Sequence, residues 1–301
     1  MPHITSGGVR LYFEECGRGY PIILLHEFES DYRSWEVQVQ YFGRAYRCIT
    51  FNARGYPPSD VPQDPDLYGS QRSVADVIAV MQGLSVTRAH LVGSSMGGYV
   101  ALQCGLQYPE KVSSIVAAAT GAGSLPAQRD EWAARTDALA RAMSARGMKG
   151  MARKMANHPT RLQLKYKDRK AWCRFASRLE QHSATGMSHT MARHQAARPS
   201  LHDLRDELSR MEVPVLLAVG DEDELCLETN LMLKSVLPAA GLWVCPNTGH
   251  AINLEEPAAF NAHVESFLGA VERSSWRRDY PVKNLAPVEN RSVHFLDGAG
   301  P

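Results

Sequence analysis

The chain has 301 residues, of which 44% are hydrophobic and 22% charged, and its formal net charge is +1. That length suits one large globular domain, or one domain carrying an insertion. The near-neutral balance leaves no electrostatic footprint for nucleic acid, and no apolar run approaches the ~18 residues of a membrane span.

Read from its start, the chain shows no basic, apolar leader in residues 1–8, so a secretory signal is not expected. Residues 9–13 alternate after Gly7-Gly8, and residues 21–25 form a continuous apolar run; both read as strands, the second buried. The polar stretch His26-Glu27-Phe28-Glu29-Ser30-Asp31 follows as a loop. A short helix is expected over 35–42 and a strand over 47–51. The run 52–59 is dense in turn residues. Residues 73–84 have helical spacing at Val74, Val77, Ile78 and Met81. A strand at 89–92, a helix at 99–108 and a strand at 112–119 come next. Strands alternating with helices predict a mostly parallel, doubly wound α/β sheet covered on both faces.

That rhythm stops at Thr120. From 120 to 206 no strand is evident, and helices are expected around 132–151, 172–181 and 200–211. Residues 120–200 carry 16 Lys/Arg against 5 Asp/Glu, while the rest of the chain carries 17 against 27. A split of this kind marks two structural parts, so this segment reads as a helical lid inserted after the sixth strand. Alternation resumes with a strand at 213–219, a helix at 229–237, a strand at 242–244 and a helix at 257–270. The expected organisation is a core of 1–119 and 207–271, a lid of 120–206, and a loosely ordered tail of 272–301. Six cysteines (16, 48, 104, 173, 226 and 245) are scattered without a Cys-x-x-Cys pair. They read as free thiols of a cytoplasmic protein.

The chemistry centres on Gly93-Ser94-Ser95-Met96-Gly97-Gly98. Gly-x-Ser-x-Gly between a strand and a helix is the nucleophile-elbow pattern: a tight turn lifts one serine above the sheet edge, and its neighbours must be small. The following helix aims backbone N–H groups at the reacting atom. Beyond the strand ending at Val219 lies Gly220-Asp221-Glu222-Asp223, and beyond the strand at 242–244 lies Thr248-Gly249-His250. Each falls at the carboxyl end of a strand, where sites in parallel sheets assemble. A serine hydroxyl needs a base to take its proton. Histidine, with an ordinary pKa of ~6.5, supplies one, and a carboxylate behind it fixes the tautomer. Asp223 is taken as the acid, with Asp221 as second choice. His182, His189 and His194 have no recognised metal-ligand spacing.

These motifs resemble those of the α/β-hydrolases, over nearly all of residues 3–270. The resemblance implies a Ser95–His250–Asp223 triad and hydrolysis of a carboxylic ester or lactone through an acyl-serine intermediate. It implies no metal or organic cofactor, and a small-molecule substrate rather than a nucleic acid or membrane partner. It also implies an oxyanion hole from the backbone N–H groups of Phe28 and Met96. Losing one such donor typically costs ~3 kcal/mol of transition-state stabilisation. Where the family often has His-Gly, this chain has His26-Glu27; a positive φ at Glu27 would cost ~1–2 kcal/mol. The run Asn52-x-Arg54-Gly55-x-Pro57-x-Ser59 matches a family turn that is structural. A carbon–carbon bond hydrolase with the same triad, a perhydrolase, a macrocyclic lactone esterase and a hydrolase-like small-molecule receptor stay open. An Asp-nucleophile route is disfavoured because residue 95 is Ser.

One further expectation concerns charge. Glu27, Glu29 and Asp31 sit beside the oxyanion loop, beneath a basic lid. Either the two sets pair loosely across the seam, at ~0–1 kcal/mol per exposed pair, or the three carboxylates form an acidic substrate mouth favouring cationic substrates.

Overall fold

A computed structural model describes residues 1–276. Its strands are β1 (His3–Ser6), β2 (Val9–Cys16), β3 (Tyr20–Leu25), β4 (Tyr46–Phe51), β5 (Ala89–Ser94), β6 (Val112–Ala118), β7 (Val215–Gly220) and β8 (Ala240–Cys245). They form one sheet in the order β1-β2-β4-β3-β5-β6-β7-β8. β1 and β2 pair antiparallel, as do β2 and β4, and every other pairing is parallel.

The helices are α1 (Glu36–Phe42), α2 (Ser70–Gly83), α3 (Met96–Gln107), α4 (Arg129–Ala156), α5 (Leu162–Lys167), α6 (Arg169–Glu180), α7 (Ala184–Thr190), α8 (Arg205–Leu208), α9 (Leu227–Val236), α10 (Ile252–Glu255) and α11 (Pro257–Glu272). Successive strand residues point to opposite faces, and the core divides accordingly. Ile23 and Leu25 join α2, α3 and α9 on one side. Ile22 and Leu24 join Trp35, Phe42 and α11 on the other. β5, β6 and β7 are buried along their whole length; β7 reads as an unbroken apolar run, while β5 and β6 carry His90 and Ser114, which satisfy each other at 2.7 Å.

Between β6 and β7 the chain is helical, with α4 to α7 and a π-helical turn at Met191–Ala196. This layer has its own methionine-rich core, Met143, Met148, Met151, Met155, Met187 and Met191, which packs against Phe28, Tyr56 and Met96 below. Gly147, with φ 69° and ψ 167°, breaks α4 into two arms.

The structure departs from expectation in two places. The helix expected over 200–211 contracts to α8, because Ser200 and Asp203 divert the backbone into local side-chain bonds: Asp203 Oδ2 accepts from Ser200 N at 3.2 Å and Ser200 Oγ from His202 N at 3.0 Å. The loose tail does not begin at 272. α11 continues to Glu272, and Trp276 packs edge-on against Phe267 and donates its Nε1–H to the Ala239 carbonyl at 2.8 Å. The rest of the expected tail, residues 277–301, lies outside the described residues. All six cysteines are free. Among the described residues, no helix is long and apolar enough to cross a membrane.

Candidate active site

Ser95 occupies the turn between β5 and α3 with φ 51° and ψ −107°. Non-glycine residues rarely adopt a positive φ, and such strain persists only where the surroundings enforce it. Here the Ser95 N–H is bound to the Ala118 carbonyl at 2.7 Å. The flanking glycines leave no alternative. A Cβ on Gly93 would stand 2.3 Å from the Gly97 backbone, one on Gly97 2.1 Å from the Leu25 carbonyl oxygen, and one on Gly98 2.0 Å from Thr120 Oγ1. The turn is thus a three-way contact of β5, β3 and the end of β6. Met96 is the first residue of α3, so its N–H is one of those a helix leaves without an internal acceptor.

His250 follows β8 and Asp223 follows β7. Nδ1 of His250 lies 2.8 Å from Asp223 Oδ2, both groups being buried. Asp221, the second choice for the acid, instead accepts the Thr248 N–H at 3.1 Å and is exposed. The loop carrying His250 is fixed by Glu255, whose carboxylate accepts the Gly249 and Ala251 N–H groups at 2.6 and 3.0 Å. Burial disfavours a charged His250, but the Asp223 carboxylate outweighs that cost and raises its pKa above the ordinary value. Ser95, His250 and Phe28 line one cavity of about 410 Å³, roofed by α4, the 158–161 turn and the π-helical turn.

The loop after β3 is tied down from two sides. His26 contacts the Glu27 carbonyl through Nδ1 at 2.7 Å and accepts the Ala53 N–H at Nε2 at 3.0 Å. Tyr56 donates its hydroxyl to the Phe28 carbonyl at 2.8 Å. Glu27 is not among the residues with positive φ, so the glutamate here carries no backbone strain of that kind. Arg54 pairs with buried Asp76 at 2.6 Å and Asn52 bonds the Tyr56 and Pro57 carbonyls, which makes the 52–59 run structural.

The three carboxylates of the loop occupy two settings. Glu27 and Glu29 do line the cavity, but neither is a free carboxylate at its mouth. Arg161, 2% exposed, donates from Nη2 to Glu27 Oε2 at 2.7 Å and from Nε to Glu29 Oε2 at 2.9 Å. Its guanidinium also lies over the Phe175 ring, 4.9 Å from the centroid. Asp31 does not line the cavity; it caps the turn at Tyr32–Trp35 and pairs with Arg33 at 2.6 Å. The charge asymmetry did signal contact between basic layer and acidic loop, but nothing in local spacing singled out Arg161 from fifteen other basic residues of that segment. Glu27 Oε2 is also 3.7 Å from His250 Nε2.

Asp223, Cys226 and His250 offer ligand atoms within 4.8 Å of one another, the one such group among the described residues. The donor set is a poor one for a metal. Burial and the Asp223 charge push the Cys226 thiol well above its ordinary range, so it is held as the thiol, and its Sγ donates to the Ala119 carbonyl at 3.3 Å.

A family model described as alpha/beta hydrolase fold matches residues 20–257. A Bacillus subtilis (strain 168) protein named "Putative 2-succinyl-6-hydroxy-2,4-cyclohexadiene-1-carboxylate synthase" is 28% identical over 277 residues, covering 89% of this chain and 97% of that one. The 3-oxoadipate enol-lactonase 1 of Acinetobacter baylyi (strain ATCC 33305 / BD413 / ADP1) is 24% identical over 254 residues, covering 83% and 89%. A solved structure described as "Est816 as an N-Acyl homoserine lactone degrading enzyme" matches with a TM-score of 0.73 at 25% identity, covering 88% of this chain and 100% of that one.

Proposed function

The chain belongs to the α/β-hydrolase fold family, and from that premise we propose that it hydrolyses a carboxylic ester or lactone through an acyl-serine intermediate. One observation carries the reading: His250 is held at Nδ1 by Asp223 and lines the same cavity as Ser95. The names of two relatives, an enol-lactonase and a homoserine-lactone-degrading enzyme, support the substrate class.

In this mechanism Ser95 Oγ attacks the carbonyl carbon while His250 Nε2 accepts its proton. The tetrahedral oxyanion is held by the N–H groups of Phe28 and Met96, the second reinforced by the α3 N-terminus. Collapse expels the alcohol, which takes the proton back from His250. A water molecule, deprotonated by His250, then attacks the acyl group and releases the acid. Asp223 keeps the proton on Nδ1 and stabilises the imidazolium. Helices α4 to α7 act as a lid over the 120–206 span and roof the substrate cavity while leaving room for the hydrolytic water.

Turnover of esters of graded acyl length and of lactones, with wild type beside Ser95→Ala, tests the proposal. Activity lost with the serine supports it. Equal turnover by both proteins refutes it.

A further inference from the structure

The cavity that holds Ser95 is lined by groups of both signs. Glu27 and Glu29 line it and are both bound to Arg161. From α4 it takes Arg135, Arg146 and Lys154. Four cations of the helical layer outside the cavity wall pair with carboxylates: Arg141 with Asp137, Lys167 with Glu256, Arg178 with Glu36 and Arg193 with Asp66. Arg135, Arg146 and Lys154 form no ion pair among the described residues, although all three line the cavity that holds the nucleophile.

Two features organise this wall. The break at Gly147 sets Arg135 and Arg146 on one arm of α4 and Lys154 on the other, so cations from both arms reach one space. His158, also on the wall, takes the Arg135 guanidinium at Nε2 and is anchored through Nδ1 to Thr160 Oγ1 at 2.9 Å. Burial first, and then Arg135, push its pKa down to about 4. His158 is therefore neutral at working pH and accepts the Arg135 hydrogen bond, which orients that side chain. Arg161 Nη1 adds a further buried donor without a hydrogen-bond partner among the described residues.

We infer that the ester or lactone taken by Ser95 carries a carboxylate, and that Arg135, Arg146 and Lys154 bind it. The inference deepens the hydrolase reading and rests on it. Fork-shaped guanidinium donors match a planar carboxylate. The same field gives the substrate one orientation: its anionic tail is drawn to α4 and repelled from Glu27, which leaves the scissile carbonyl at Ser95.

The test compares the mono-4-nitrophenyl ester of adipic acid with 4-nitrophenyl hexanoate, its uncharged counterpart of equal chain length. Wild type, the triple variant Arg135→Gln/Arg146→Gln/Lys154→Gln, and a control, Lys149→Gln/Lys170→Gln, are assayed at low salt. All five positions are exposed, and thermal melts verify that each variant is folded. The expected result is a kcat/KM ratio, charged over neutral ester, that falls at least tenfold in the triple variant, mainly through KM, and holds in the control. A ratio unchanged in the triple variant, or lowered equally in the control, overturns the inference. Titration calorimetry of adipate into the Ser95→Ala protein, with and without the triple substitution, reads the same wall without turnover. Binding weakened tenfold or more supports it even if ester hydrolysis proves wrong, and equal binding overturns it. A phosphate monoester of matched length that displaces adipate at lower concentration would overturn the assignment to carboxylate.

Discussion

Glu27 places a carboxylate oxygen 3.7 Å from Nε2 of His250, and that same oxygen accepts a 2.7 Å hydrogen bond from Arg161. The proposed general base thus sits between two carboxylates, Asp223 on Nδ1 and Glu27 near Nε2. Both favour the imidazolium, whereas burial, the largest influence, and Arg161 oppose it; the net pKa is raised. A raised pKa means that the neutral base is reached only at higher pH. The kcat/KM of an uncharged ester should therefore rise with pH through an apparent pKa above ~6.5. Glu27→Gln removes one negative neighbour and leaves Arg161 less screened, and both changes lower the His250 pKa. The acid limb should move to lower pH. A limb that stays in place or moves up in a pH–rate profile contradicts this coupling.

Arg161 bridges buried Glu27 and half-buried Glu29, so its removal should cost more than its own contacts. Breaking a buried pair by deleting one partner typically costs about 3–5 kcal/mol, because an uncompensated charge is left behind. Arg161→Met should lose that much in urea unfolding at pH 8. Burial already raises the Glu29 pKa against the opposing charge of Arg161; without Arg161 it rises further above its unfolded value, so the deficit should shrink as pH falls and Glu29 protonates. A deficit that is equal at pH 8 and pH 5 would mean the loss is packing against Phe175 and not charge.

The elbow glycines make a pair of contrasting predictions. Gly98→Ala directs a Cβ at the Thr120 hydroxyl, while Gly97→Ala directs one at the Leu25 carbonyl. A side chain can be trimmed and a backbone oxygen cannot. Gly98→Ala should destabilise by about 1–3 kcal/mol, with much of that recovered in Gly98→Ala/Thr120→Ala. No change at Thr120 should recover Gly97→Ala. A double-mutant cycle by chemical denaturation measures the coupling.

Buried histidines set the acid stability. Burial lowers His182 to about 4 and His194 to about 3, with Arg198 adding to the second. For a group depressed on folding, stability is complete above its unfolded pKa of ~6.5 and is lost as pH falls towards the folded value. His194→Gln cannot titrate. The stability gap between it and wild type should therefore narrow by about 2 kcal/mol between pH 7 and pH 4.5. A constant gap in urea titrations at the two pH values contradicts a neutral, buried His194.

The sheet was legible in the sequence because its inner strands are covered on both faces. Residues 21–25 and 213–219 are apolar throughout and 89–92 departs only at His90, which bonds Ser114; such runs are visible without knowing the partners. The elbow was legible because its neighbours must be small: a Cβ on Gly93 or Gly97 would lie within 2–3 Å of backbone, and one on Gly98 2.0 Å from the Thr120 hydroxyl. Arg161 was not legible. Its role depends on Glu27 and Glu29, more than 130 residues earlier, and no local period records a pairing across two layers. The kink at Gly147 escaped too, because its Cβ would meet nothing; the glycine answers a backbone angle and not a crowded neighbour. Composition left pairing across the seam and an acidic mouth side by side, because it counts charges and cannot see which are paired.

Trapping the acyl intermediate tests the role of Ser95 most directly. The protein is mixed with a slowly deacylating 4-nitrophenyl ester, quenched in acid within the burst, digested and mapped by mass spectrometry. An acyl adduct on Ser95, absent from Ser95→Ala, is the expected result. Sustained turnover by the Ser95→Ala protein, with no adduct on any wild-type peptide, would contradict an acyl-serine route.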